Sequence, residues 1–85
     1  MVQLKVPERG LVIARFVRDR RRSTGLTQQE LADLAGVGKR FVVELEAGKQ
    51  TLRLDKVNQV LAAFGKRTGP IDLPPDASTA RGQEQ

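Results

Sequence analysis

The segment from Thr27 to Gly48 constrains the fold most, because it carries start and stop signals for two short helices. Thr27 and Glu30 are spaced as in a capping box, in which the Thr27 hydroxyl accepts from the Glu30 amide and the Glu30 carboxylate accepts from the Thr27 amide. The first helix therefore begins just after Thr27. Its apolar face consists of Leu31, Ala32 and Ala35.

Glycines mark the helix ends in the rest of this segment. Gly36 ends the first helix, because glycine takes a positive φ without a steric penalty. Gly38 is an acceptable N-cap for a second helix from about Lys39 to Ala47, and Gly48 stops it. Two short helices joined by a glycine-containing turn predict a helix-turn-helix.

Amphipathic patterns flank the segment on both sides. From Glu8 to Ser23 a helical stripe is predicted, formed by Leu11, Ile13, Phe16 and Val17. The opposite face is predicted to be basic, with Arg9, Arg15, Arg18, Arg20, Arg21 and Arg22. A last helix is expected from Leu54 to Phe64, with inward-facing Leu54, Val57, Val60, Leu61 and Phe64. The fold class is therefore all-α, a compact domain of four to five helices over residues 8–65.

The two ends of the chain have a different character. Residues 1–7 alternate apolar and polar side chains, which fits either a short strand or an N-terminal arm. Residues 66–73 form a linker in which Ile71 and Leu73 suit a short dimerisation strand. Residues 74–85 have almost no apolar content, which predicts a disordered tail.

Composition narrows the function. Lysine and arginine number 15 against 10 aspartate and glutamate, a net charge of +5. Setting aside Asp72, Asp76, Glu84 and Arg81 leaves residues 1–69 with +7, which favours a polyanionic partner. The chain has no cysteine or histidine and no Gly-rich phosphate loop, so we expect no enzyme, cofactor or metal site. It also lacks a membrane span and a signal peptide, so we expect a cytoplasmic protein.

The predicted DNA contacts begin at the helix starts. Gln28, next to Thr27, lies at the N-terminus of its helix, where a side-chain amide and backbone N–H groups can meet a phosphate. Lys39 and Arg40, just after Gly38, open the second helix of the pair. The N-terminal residues of a recognition helix reach base edges, and both cations suit guanine O6 and N7.

Further positions extend this surface. Val43 faces outward and suits a thymine methyl group, and Lys49 suits the phosphate backbone. Glu44 either accepts from a cytosine amine or is a solubilising surface charge. Phe41 lies at the boundary, where it either packs under the turn or leans against the DNA groove. Glu46, among apolar neighbours, is expected to pair with Arg21.

These residues resemble the Cro/C1-type (XRE) helix-turn-helix family, of which the lambda repressor domain is the model fold. The resemblance covers about residues 10–65 and rests on fixed spacings: Gly25 to Ala32, Ala35-Gly36-Val37, Val42, Leu45-Glu46, Gly48-Lys49, Leu54, Val57, Leu61 and Ala63-Phe64-Gly65. In this family Gln28 and the start of the third helix are the positions that contact DNA.

Within the family, Gly38 to Phe41 and Glu44 to Lys49 are most similar to HipB-type antitoxins. That resemblance implies a homodimer that represses its own operon at a palindromic operator and binds a HipA-type serine/threonine kinase toxin. It also implies a dimerisation strand at Ile71–Leu73. The alternatives are a stand-alone or phage-type repressor without a toxin, and an interaction module that no longer binds DNA.

Overall fold

A computed structural model describes residues 8–72 of the chain. Four helices follow one another: α1 (Glu8–Ser23), α2 (Gln28–Ala35), α3 (Lys39–Glu46) and α4 (Leu54–Ala62). No strand occurs within these 65 residues. The predicted all-α class is therefore confirmed, with four helices.

The boundaries of α2 follow from the predicted caps. The Thr27 hydroxyl accepts from the Glu30 amide at 3.0 Å, and the Thr27 amide donates to the Glu30 carboxylate at 2.8 Å. At the other end Gly36 has φ 77°, and the amides of Gly36 and Val37 both donate to the Ala32 carbonyl. These bonds satisfy backbone groups that a short helix leaves without internal partners.

The core forms where α3 packs on α1 and α2 and where α4 packs on α2. Its largest fully buried side chains are Val17, Leu31, Val42 and Val60, one from each helix. Burying each of them contributes about 1.5–3 kcal/mol relative to an exposed side chain. Every helix therefore contributes to a single core, which fixes the orientation of α3.

Two residues predicted to be buried are not. Leu11 is 41% exposed and Leu54, the first residue of α4, is 61% exposed. Both lie within the first four residues of their helices, Leu11 in α1 and Leu54 in α4. Ala14, which the stripe in α1 omitted, is buried instead.

The last turn of α4 also departs from the predicted limit at Phe64. The helix ends at Ala62, and the amides of Ala63, Phe64 and Gly65 bond three residues back rather than four. This tighter winding is common at helix ends. It directs Phe64 onto Phe16 in an edge-to-face contact, with ring centroids 6.2 Å apart.

The linker contains no strand within the described residues. Ile71 is 89% exposed, and no neighbouring strand is available for it to pair with in residues 8–72. Leu73, the tail at 74–85 and the arm at 1–7 lie outside the described residues. A dimerisation strand at Ile71–Leu73 stays a prediction.

Candidate nucleic-acid interface

The turn between α2 and α3 leaves the start of α3 open to the solvent. Gly38 caps α3 with extended backbone angles (φ −77°, ψ 154°) and supplies no side-chain hydrogen bond. Lys39 and Arg40 follow directly and are both exposed. The N-terminal end of α3 therefore combines free backbone N–H groups with two cations, a set of donors that suits an anionic, acceptor-rich ligand.

The buried and exposed residues of α3 separate cleanly. Val42 and Leu45 are buried in the core, whereas Val43, on the outer face, is 40% exposed. An exposed valine beside Arg40 gives this face an apolar contact point within a cationic surface. Such a combination can read both the acceptors and the methyl groups of a major groove.

Phe41 falls on the core side of this division. Its ring is half-buried and packs against the hydrophobic core. Of the two alternatives for Phe41, the structure shows the packing one.

Glu44 lies between two cations on the outer face. Its Oε2 is 3.3 Å from Arg40 Nε, and its Oε1 is 3.6 Å from Lys49 Nζ. The turn at Gly48 (φ 88°) makes the second contact possible, because it returns the chain so that the Lys49 amide donates to the Glu44 carbonyl. The carboxylate is therefore more than an isolated solubilising charge.

Behind this face, Glu46 organises the junction of α1, α2 and α3. Its carboxylate is only 4% exposed and accepts from Arg21 Nε at 2.6 Å and Arg21 Nη2 at 3.0 Å. Gln28 Nε2 donates to the same carboxylate at 3.2 Å, and Arg18 Nη2 donates to the Glu46 backbone carbonyl at 3.1 Å. One buried anion thus orients side chains from two other helices.

The protonation of this pair follows from its contacts. Burial alone would raise the pKa of the Glu46 carboxyl, but hydrogen bonds from Arg21 and Gln28 outweigh it and hold the pKa below its ordinary value. The hydrogen bond to Glu46 raises the pKa of Arg21 in turn. Both groups are therefore charged at neutral pH.

Gln28 has a more specific position than its place in the sequence indicates. In the free protein its amide nitrogen donates to Glu46 at 3.2 Å, and its contact with a DNA phosphate stays a prediction. The side chain is half-buried, while Thr27 beside it is exposed. Glu46 therefore holds the Gln28 amide in a fixed orientation at the edge of the α3 surface.

The sequence pattern predicts that the arginines of α1 all lie on the face opposite to its apolar stripe. The structure places them on more than one side of the helix. Arg18, Arg21 and Arg22 border a shallow depression that Gln28, Val43 and Ala47 complete. Arg20 lies on another side of α1, with its guanidinium 5.1 Å from the centre of the Phe16 ring. Arg18 and Arg22 thus extend the cationic surface beside α3. Their spacing of four residues, which places both on one side of a helix, was the signal in the sequence for this.

Other kinds of site find little support in the described part of the chain. Residues 8–72 hold no cluster of three or more histidine, cysteine, aspartate or glutamate side chains that could bind a metal ion. None of the four helices is both long and apolar enough to cross a membrane. The predicted contact residues from Gln28 to Lys49 lie on α2, α3 and the turn after α3, and their contact with DNA stays a prediction.

The comparisons with known proteins agree with this geometry. A family model described as helix-turn-helix matches residues 17–71. The chain is 53% identical over 53 residues to y4mF of Sinorhizobium fredii, an uncharacterized HTH-type transcriptional regulator, covering 62% of this chain and 70% of that protein. It is also 34% identical over 51 residues to an uncharacterized HTH-type transcriptional regulator of Methanothermobacter thermautotrophicus. That match covers 60% of this chain and 74% of the relative.

A solved structure is similar as well. A chain of a toxin–antitoxin module from Streptococcus pneumoniae superposes with a TM-score of 0.69 at 28% sequence identity. The match covers 79% of this chain and 74% of that chain.

Proposed function

Because the chain belongs to the helix-turn-helix family of transcriptional regulators, we propose that it is a homodimeric repressor that reads a palindromic operator with α3. The exposed start of α3 carries this proposal. Lys39 and Arg40 stand at its N-terminus and Val43 lies one turn beyond, on the face that the core leaves free. Arginine or lysine on guanine and an apolar contact on thymine are the pairings that such a face makes in the major groove.

Two copies are needed for strong sequence specificity. A single small module buries little DNA surface, typically about 600–1,000 Å² of protein. A dimer doubles that contact on two half-sites separated by one helical turn or a multiple of it. Ile71, an apolar side chain that is 89% exposed, supports a dimer contact beyond α4, and Leu73 extends the same proposed strand.

We further propose that the protein is an antitoxin. The similarity to a chain of a toxin–antitoxin module supports this role. The resemblance of two segments, Gly38 to Phe41 and Glu44 to Lys49, to HipB-type antitoxins supports a HipA-type serine/threonine kinase as the partner. The repressor would then control the operon that encodes both proteins.

A stand-alone repressor without a toxin is the second candidate. The relatives from Sinorhizobium and Methanothermobacter are described as HTH-type transcriptional regulators, a description that fits this candidate as well as the first. The same four helices serve either role. The presence of a kinase gene beside this one separates the two candidates.

A gel-shift titration with the fragment upstream of the gene tests the DNA-binding proposal. Arg40→Ala should weaken operator binding by about 5- to 150-fold, because a good bidentate base contact contributes about 1–3 kcal/mol. Lys66→Ala is the matched control, since it removes the same charge from an exposed position after α4. Equal losses in both variants would overturn the assignment of α3 as the reading helix.

A pull-down tests the antitoxin proposal separately. The tagged protein, expressed from its own locus, should retain a kinase of several hundred residues, and the complex should release the kinase when the antitoxin is degraded. Recovery of the repressor on its operator with no retained kinase would favour the second candidate.

A further inference from the structure

The charges of α3 run against its helix dipole. Lys39 and Arg40 occupy the first turn, at the positive end of the dipole, and Glu44 and Glu46 occupy the last, with no acidic residue in the first turn and no basic one in the last. Each placement is the less favourable one for helix stability. The Arg40–Glu44 pair also has the cation N-terminal to the anion, which is the weaker order at this spacing. Helix stability therefore does not account for these side chains.

One of the two anions is explained by packing and the other is not. Glu46 is buried and bonded to Arg21. Glu44 has a side chain 28% exposed, on the outer face of α3, and forms ion pairs with Arg40 and Lys49. It holds each cation by a different carboxylate oxygen, so both oxygens are engaged. On a surface proposed to bind DNA, this carboxylate has the same charge sign as the phosphates.

We propose that Glu44 is a further specificity-determining residue of this surface, and that it acts by exchanging partners. The proposal rests on the proposed function. In the free protein and on non-cognate DNA, Glu44 keeps Arg40 and Lys49 paired. At the cognate site its carboxylate accepts from an exocyclic amine in the major groove, and both cations are released to the DNA.

The physical reason is a difference between the two kinds of site. The guanine O6 and N7 atoms, the thymine O4 and the adenine N7 are acceptors, so an unpaired carboxylate is repelled by them. Glu44 then stays on its cations, which can neutralise fewer phosphates. The cytosine N4 amine and the adenine N6 amine are donors. A hydrogen bond from either one replaces the ion pairs that the Glu44 carboxylate gives up with Arg40 and Lys49. Because every base pair carries one such amine, its position decides: Glu44 weakens binding wherever no amine lies within reach of its carboxylate.

The test compares Glu44→Gln with the wild type on two labelled duplexes, the selected operator and a scrambled one, by fluorescence anisotropy. The glutamine keeps the shape but cannot hold the two cations by charge. We expect binding to the scrambled duplex to tighten about tenfold, with a salt slope steeper by about one to two phosphate contacts. Selection from a randomised pool with the wild type should identify one amine-bearing position, cytosine or adenine, in each half-site, and Glu44→Ala, which has no acceptor at this position, should lose that preference.

Asp19→Asn is the matched control, because it removes one negative charge from an exposed position on α1. It should leave the operator-to-scrambled affinity ratio within about twofold of the wild type. An equal fall of that ratio in both variants, or an unchanged ratio in Glu44→Gln, would overturn the proposal while leaving DNA binding intact. A wild-type protein that enriches no sequence would overturn the proposed function, and this proposal with it.

A double-mutant cycle separates partner exchange from a purely structural role of Glu44. On the scrambled duplex, Arg40→Ala should cost more in the Glu44→Gln background than in the wild type, because only there is Arg40 free to contact DNA. Additive effects on the scrambled duplex would contradict the exchange. Equal unfolding midpoints for all four proteins show that the comparison is made between folded molecules.

Discussion

Replacing Arg21 by methionine isolates the role of the buried ion pair. Methionine keeps most of the side-chain volume but leaves the Glu46 carboxylate, 4% exposed, without its main partner. Removing one member of a buried pair typically costs 3–5 kcal/mol. The Leu26 carbonyl also loses its bond from Arg21 Nη1. The Gln28 amide, however, still donates to Glu46 and partly compensates the carboxylate. We therefore expect a loss of stability near the low end of this range, about 3 kcal/mol.

That loss is large for this protein. A chain of 85 residues has a free energy of unfolding of roughly 4–13 kcal/mol. A change of about 3 kcal/mol lowers the melting temperature by about 12–24 °C in a domain of this size. Urea unfolding at pH 7, followed by far-UV circular dichroism, measures the change directly.

The double variant Arg21→Met/Glu46→Leu supplies the control. Replacing both charges by apolar side chains of similar size is often neutral or stabilising, so most of the lost stability should return. A loss below about 1 kcal/mol in the single variant would refute the reasoning, since that is the contribution of an exposed pair. A double variant as unstable as the single one would refute it as well.

The other predictions concern stability too. The pKa of Glu46 is lowered in the folded state, so its contribution is fully present above the ordinary value of 4.5 and is lost as pH falls through the lowered native pKa. Urea titrations should show the wild type losing stability relative to Arg21→Met/Glu46→Leu only in this acid range. Leu31→Ala, at a fully buried position, should cost about 3 kcal/mol of unfolding free energy, whereas Leu34→Ala, 63% exposed on the same helix, should cost less than about 0.5 kcal/mol. Thr27→Ala should cost about 1 kcal/mol, because it removes the hydroxyl that caps α2; a thermal melt unchanged by this substitution would show that the cap is unimportant.

Local rules predicted the parts of the fold that depend on neighbours in sequence. The capping box at Thr27 and Glu30, and the stop at Gly36, each involve residues within a few positions of one another. The interactions that form these caps involve only residues close together in the sequence, so the sequence alone is sufficient to predict them. The start of α3 at Lys39 follows for the same reason.

Contacts that join distant segments were predicted less well. The bond from Gln28 to Glu46 spans 18 positions and depends on the crossing of α2 and α3. Leu54 belongs to the apolar stripe of α4 and is nevertheless 61% exposed. Ala14 was missed because a stripe drawn from large apolar side chains overlooks a small residue at a close helix contact. Periodicity identifies a face, but only packing shows how far it is covered.

Methylation interference on the operator tests the central claim most directly, because one reagent, dimethyl sulfate, marks both grooves. It modifies guanine N7 in the major groove and adenine N3 in the minor groove. If α3 reads the major groove through Arg40, guanine methylation should abolish binding at symmetric positions in two half-sites, and Arg40→Ala should lose that interference. Binding that tolerates guanine methylation and is blocked by adenine methylation would contradict the account.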